Sequence, residues 1–146
     1  MLEDDEQHED ADEGCLGPMD LAERALRERF PNWLTRGSIF VVPDGWALIV
    51  LDLFDAIAAK VGKDADIWVG AIKTQFAGLG VAYHAQDALR DRIQPLVAQA
   101  DEAARRTCEI CAAPGRYSVD GRGSYATMCA VHCEEHGFGV AALSRH

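Results

Sequence analysis

"CEICAAPGRYSVDGRGSYATMCAVHCEEH", Cys108 to His136, holds four of the chain's five cysteines and two of its five histidines in 29 residues. Cys108 and Cys111 form C-x-x-C, and Cys129 and His132 form C-x-x-H, with 17 residues between the pairs. A two-residue gap lets one tight turn present two ligands, and Zn²⁺ takes four thiolate or imidazole ligands in a tetrahedron. Between the pairs, Tyr117 and Val119 alternate on one arm and Tyr125 and Thr127 on the other. Asp120-Gly121 is a favoured two-residue hairpin turn. Spacing, turn and ligand types therefore agree on a structural zinc held in a ribbon-like hairpin, with Cys108, Cys111, Cys129 and His132 as ligands. Five cysteines scattered at random rarely pair in this way. Cys133 or His136 can replace His132 on spacing, but a second pair with the gap of the first closes the site most simply.

Upstream of the cluster the pattern mixes helix and strand. Residues 1–13 carry eight acids and no Lys or Arg, out of a formal charge of −10 for the 146 residues. Like charges repel and keep a segment extended, so residues 1–16 read as a disordered acidic tail. What remains is 16 acids against 14 Lys and Arg, and is nearly neutral. Asp20 and Glu23 resemble a capping box ahead of the apolar stripe Leu21, Ala22, Ala25, Leu26 and Phe30, which Pro31 stops. Gly37–Val42 reads as a strand and Pro43–Gly45 as a turn. Asp44 is placed to cap a helix over Trp46–Val61, ended by Gly62. Asp66–Phe76 alternates as a strand, Ala77–Gly80 is a turn and Val81–His84 a returning strand. A helical pattern follows from Ala85 to Arg106, which Pro95 should kink or split. Trp46, Phe54, Trp68 and Phe76 read as core; Trp33, beside Pro31 and Asn32, is the aromatic to consider for a partner surface. The fold class is α+β, with an α+β core over 17–107 and a zinc-binding hairpin and C-terminal tail over 108–146.

Several functions are disfavoured. No phosphate loop, dinucleotide fingerprint or nucleophile elbow occurs. "HCEEH" (His132–His136) fits the inverted zinc-protease motif H-x-x-E-H, but the nearby cysteines compete for the metal, and four protein ligands leave no open position for water. The zinc-deaminase signature is missing. No stretch is apolar for long enough to span a membrane and no secretory pattern is present, so the expected location is the cytoplasm, where thiols stay reduced and bind metals. Arg105, Arg106, Arg116 and Arg122, with Tyr117 and Tyr125, invite a nucleic-acid reading. Residues 105–146 nevertheless hold five Arg against four acids, which is hardly a basic face.

Three stretches together carry a resemblance: "DGWALIVLDLFDAI" (Asp44–Ile57), "IKTQFAGLGVAY" (Ile72–Tyr83) and "CEICAAPG…CAVH" (Cys108–His132). They are similar to a group of small proteins of bacteria and their phages with the pattern "GDGW…LI", "VKEKFGxLRFY" and "CExCGAPG…CxxH". The likeness spans roughly residues 40–133. It implies the same four ligands and a phage or mobile-element setting, and it assigns no reaction. Here Ala112 replaces the glycine after the second cysteine, and the strand pair lacks a lysine and an arginine of the pattern. The expectation is a non-enzymatic, zinc-stabilised module that binds another protein, a basic or nucleic-acid-binding one. In a phage setting its purpose would be to inhibit or modulate a host or defence complex. The alternative is a nucleic-acid-binding accessory or transcription regulator that uses the zinc ribbon.

Overall fold

The computed structural model describes residues 16–140. The acidic stretch up to residue 15, with Cys15, lies outside them. The chain is α+β, with four α-helices and two three-stranded sheets among the described residues.

Helix α1 (Pro18–Arg29) begins two residues before the expected start. Pro18 suits the first helical position, where its missing N–H costs nothing. Asp20 sits one turn in, where its carboxylate accepts from the Gly17 N–H at 3.4 Å. Met19, Ala22 and Leu26 are buried at helical spacing. Asp44 does not cap the following helix as the sequence suggested. It opens a 3₁₀ turn (Asp44–Trp46), and its Oδ1 accepts from the Met19 N–H at 3.0 Å, so it caps α1 across 25 residues.

Strand β1 (Ile39–Val41), helix α2 (Ala47–Val61), β2 (Trp68–Gln75), β3 (Gly78–His84) and α3 (Asp87–Ala104) complete the core. The sheet order is β1-β2-β3. β1 lies parallel to β2, with α2 in the connection that parallel pairing requires. One face of the sheet meets the helices in a cluster that includes Trp46, Phe54, Ile72 and Ile93. Strict alternation along β2 put Trp68 and Ile72 on one side. A bulge between Val69 and Ala71 breaks the parity, so Ile67, Val69 and Ile72 are all buried and Trp68 is exposed, stacked on His84. Trp33 is fully buried, stacked on Phe30 at 4.6 Å and donating Nε1–H to the Ala65 carbonyl, which removes it from any partner surface. Pro95 neither splits nor ends α3: it stands on the exposed side, where water can satisfy the carbonyl its ring leaves without a donor.

The turn between β2 and β3 is Phe76-Ala77, not Ala77–Gly80, because Gln75 already pairs with Gly78. Both turn residues have positive φ, 53° and 63°, the geometry of a type I′ hairpin turn. Phe76 is therefore 77% exposed rather than core.

The Cys/His segment is larger than a hairpin. Strands β4 (Arg116–Asp120) and β5 (Tyr125–Met128) pair as expected, Tyr117 opposite Thr127 and Val119 opposite Tyr125. Helix α4 (Ala130–His136) follows, Gly137 ends it in the left-handed region, and β6 (Phe138–Val140) pairs with the other edge of β4. The loop between β4 and β5 is longer than the expected Asp120-Gly121 turn. Asp120 Oδ1 accepts from the Arg122 and Ser124 N–H groups at 2.8 and 2.9 Å, an Asx-type turn, with Gly123 at φ 87°.

Candidate metal centre

Each cysteine pair is placed by a local backbone device. After α3, Thr107 bridges Pro114, and the Cys108 N–H donates to the Ala113 carbonyl at 2.7 Å. The chain turns tightly between them, with the Ile110 N–H directed at Cys108 Sγ (3.4 Å) and Ala112 at φ 68°. Cys129 is the N-cap of α4 and His132 lies in its first turn, so three-residue spacing puts both on one side of the helix.

Folding brings the two devices face to face. His132 Nδ1 lies 3.5 Å from Cys108 Sγ and 3.2 Å from Cys129 Sγ, and Cys111 Sγ lies 3.7 Å from Cys129 Sγ. All four ligand atoms fall within 4.8 Å of one another, an arrangement that can hold a metal ion. Cys108 is buried, Cys129 and His132 are half-buried and Cys111 is exposed.

Without a cation these groups perturb one another. Burial pushes the Cys108 thiol up, but backbone hydrogen bonds at Cys129, Cys111 and Ile110 and the His132 ring together outweigh it and bring it down to about 6. The Cys129 thiol is lowered, first by the His132 backbone N–H. For Cys111 the Ala113 amide favours thiolate, yet burial and the sulfurs of Cys129 and Cys108 prevail, and its thiol is raised. Cys108 and then Cys129 raise His132. Crowded thiolates oppose one another's ionisation; a cation among them removes the conflict.

The two alternative ligands lie elsewhere. Cys133 Sγ sits 3.1 Å from the buried Ser118 hydroxyl and packs with Ala126, Met128 and Phe138. His136 is exposed one turn further along α4, its ring centroid 6.2 Å from that of His132. Glu135, the acid of the H-x-x-E-H match, faces His132 Nε2 at 3.9 Å, on the nitrogen turned away from the sulfurs.

A second set of residues, not singled out from the sequence as site residues, holds the centre on the core. The Gly45 N–H donates to the Glu109 carbonyl at 2.7 Å, and Trp46 Nε1–H donates to the Thr107 carbonyl at 2.9 Å. A Cβ on Gly45 would stand 2.1 Å from the Cys108 carbonyl oxygen, so only glycine admits this approach. From the other side Thr127 Oγ1 donates to the Ala77 carbonyl at 2.8 Å, while its N–H donates to Glu109 Oε2 at 2.8 Å. The pairing of "DGW" with C-x-x-C in one pattern was the available signal. No protein-family model matches this chain, and neither a curated protein nor a solved structure matches it.

Proposed function

We propose that Cys108, Cys111, Cys129 and His132 hold one structural Zn²⁺, and that the chain is a non-enzymatic module that binds another protein. The observation that carries the metal assignment is the shape of the ligand set. With Zn–S bonds of about 2.3 Å and a Zn–N bond of about 2.0–2.1 Å, a tetrahedron has S···S edges of about 3.8 Å and S···N edges of about 3.6 Å. The separations of 3.7, 3.5 and 3.2 Å come close to these. Three thiolates and an imidazole suit zinc in both softness and geometry. Four protein donors complete its coordination, and a closed site favours a structural role.

Binding to a protein is favoured by charge and surface. The formal charge of −10 opposes a polyanion and favours a basic partner. Exposed aromatic rings at Phe76 and Tyr125 supply the contact chemistry enriched at protein interfaces. The test has two parts. Mass spectrometry under native conditions should find one zinc per chain, and X-ray absorption should find three sulfurs and one nitrogen; a bound water in that shell would overturn the structural assignment. Immobilised full-length protein should enrich a specific basic protein, whereas retention of DNA or RNA at micromolar protein would favour a nucleic-acid role instead.

A further inference from the structure

The turn Phe76-Ala77 and the tip of the β4–β5 hairpin flank an open hollow of about 360 Å³ lined by Thr74, Phe76, Glu109, Ser124 and Tyr125. Two features show that this place is built. First, Phe76 and Ala77 are consecutive non-glycine residues at positive φ, a conformation that is unfavourable for each. The two-residue turn requires it, and contacts around the turn hold it in place. Arg105 donates to the Phe76 carbonyl at 3.1 Å, Thr127 Oγ1 donates to the Ala77 carbonyl, and Asp101 accepts from the Leu79 N–H at 2.9 Å. The result is a phenyl ring held out in water at 77% exposure. Second, Tyr125 is 55% exposed across the hollow, and its ring is stacked nearly parallel on Tyr117 with centroids 5.2 Å apart.

Glu109 is the charged residue lining this space. One of its carboxylate oxygens accepts from the Thr127 N–H; the other has no hydrogen-bond partner among the described residues. Arg105 and Arg106 reach back to Asp101 and Glu102 on their own helix, and no Lys or Arg is among the residues that line the hollow, so the charge presented there is that of Glu109. Two exposed aromatic rings lining the same hollow as a carboxylate match a cation that carries several N–H donors. We infer that the hollow between the two hairpin tips receives a lysine or arginine side chain of the partner protein, with Phe76 and Tyr125 against its stem and head and Glu109 accepting from its nitrogen. This inference rests on the protein-binding reading above and adds the chemistry of the partner's anchor.

The test uses the zinc-loaded full chain, labelled with ¹⁵N, and capped glycine pentapeptides whose central residue is arginine or citrulline. The arginine peptide should shift the Phe76, Ala77, Ser124 and Tyr125 amides saturably, and the citrulline peptide should bind at least about fivefold more weakly, since it keeps the shape and loses the charge. Glu109→Gln retains the acceptor for Thr127 and should weaken the arginine peptide by a similar factor. Phe76→Gly should do the same without unfolding the turn, because glycine accepts positive φ. Equal shifts from both peptides, no saturable shift, or shifts produced only by a thymidine oligonucleotide would overturn the inference. A chain that captures its protein partner undiminished by Glu109→Gln and Phe76→Gly would sink this anchor while leaving the protein-binding reading intact.

Discussion

Gly45→Ala tests whether the metal centre and the core are one structure. The added methyl would stand 2.1 Å from the Cys108 carbonyl oxygen and 2.5 and 2.6 Å from the Glu109 carbonyl carbon and oxygen. All three are backbone atoms, so no side-chain rotation relieves the contact. Ordinary contact needs more than an ångström of extra separation, which breaks the 2.7 Å bond from the Gly45 N–H to Glu109 and strains the 2.9 Å bond from Trp46 to Thr107. Both bonds lie in or beside buried surface, where a lost hydrogen bond costs about 1 kcal/mol and an unsatisfied group about 1–3 kcal/mol. Reduced freedom of the unfolded chain returns about 0.4–1 kcal/mol for Gly→Ala. The net expectation is about 2–4 kcal/mol of destabilisation, out of a total of about 5–15 kcal/mol for an ordinary domain. Urea unfolding at fixed free zinc should show the lower midpoint, and competition with a chelator should show weaker metal retention. Gly121→Ala is the control: it meets nothing within 4 Å and its φ is not positive, so its midpoint should stay the same or rise slightly. A Gly45→Ala protein within about 1 kcal/mol of the parent would show that the close approach does not couple the two parts.

Ligand identity separates cleanly. Serine at Cys108, Cys111 or Cys129 should weaken zinc by at least about a hundredfold, because even groups that merely orient a ligand are worth about ten- to a hundredfold. Cys133→Ser and His136→Gln should leave zinc stoichiometry unchanged by mass spectrometry. Ala112→Gly should stabilise the protein by roughly 0.5–1 kcal/mol, read as a higher urea midpoint, since Ala112 sits at φ 68° and glycine removes the left-handed penalty while adding chain entropy. Zinc affinity should fall with acid. Each ligand must be deprotonated to bind, and the Cys108 thiol, held at about 6 in the metal-free protein, is half-protonated at that pH and mostly protonated below it. A pH titration with a zinc-responsive dye should show a loss of at least about tenfold per pH unit below 6; a flat profile from pH 7 to 5 would contradict thiolate ligation.

Much of this protein could be read from adjacent residues. Helical spacing located α2 and α3, and C-x-x-C with C-x-x-H located the four side chains that the fold brings together, because a helical turn and a tight loop are decided within a few residues. Spacing favoured His132 over Cys133 and His136, and along α4 His132 lies beside the Cys129 sulfur while Cys133 lies beside Ser118. Readings that depended on distant partners failed. Asp44 caps α1 because packing carries it there, and the bulge in β2 separates Trp68, which is exposed, from Ile72, which is buried on the same side as Val69. Ala77 and Ala112 both have positive φ. Local preference disfavours that for alanine; at Ala77 the two-residue turn between β2 and β3 requires it, and at Ala112 the tight C-x-x-C turn does. Residue order alone therefore picked out the four clustered side chains and most of the helices and strands. Only the tertiary structure decided which backbone geometry each turn must take and how Gly45 and Trp46 seat the Cys/His cluster on the core, since those outcomes depend on contacts between segments far apart in the chain.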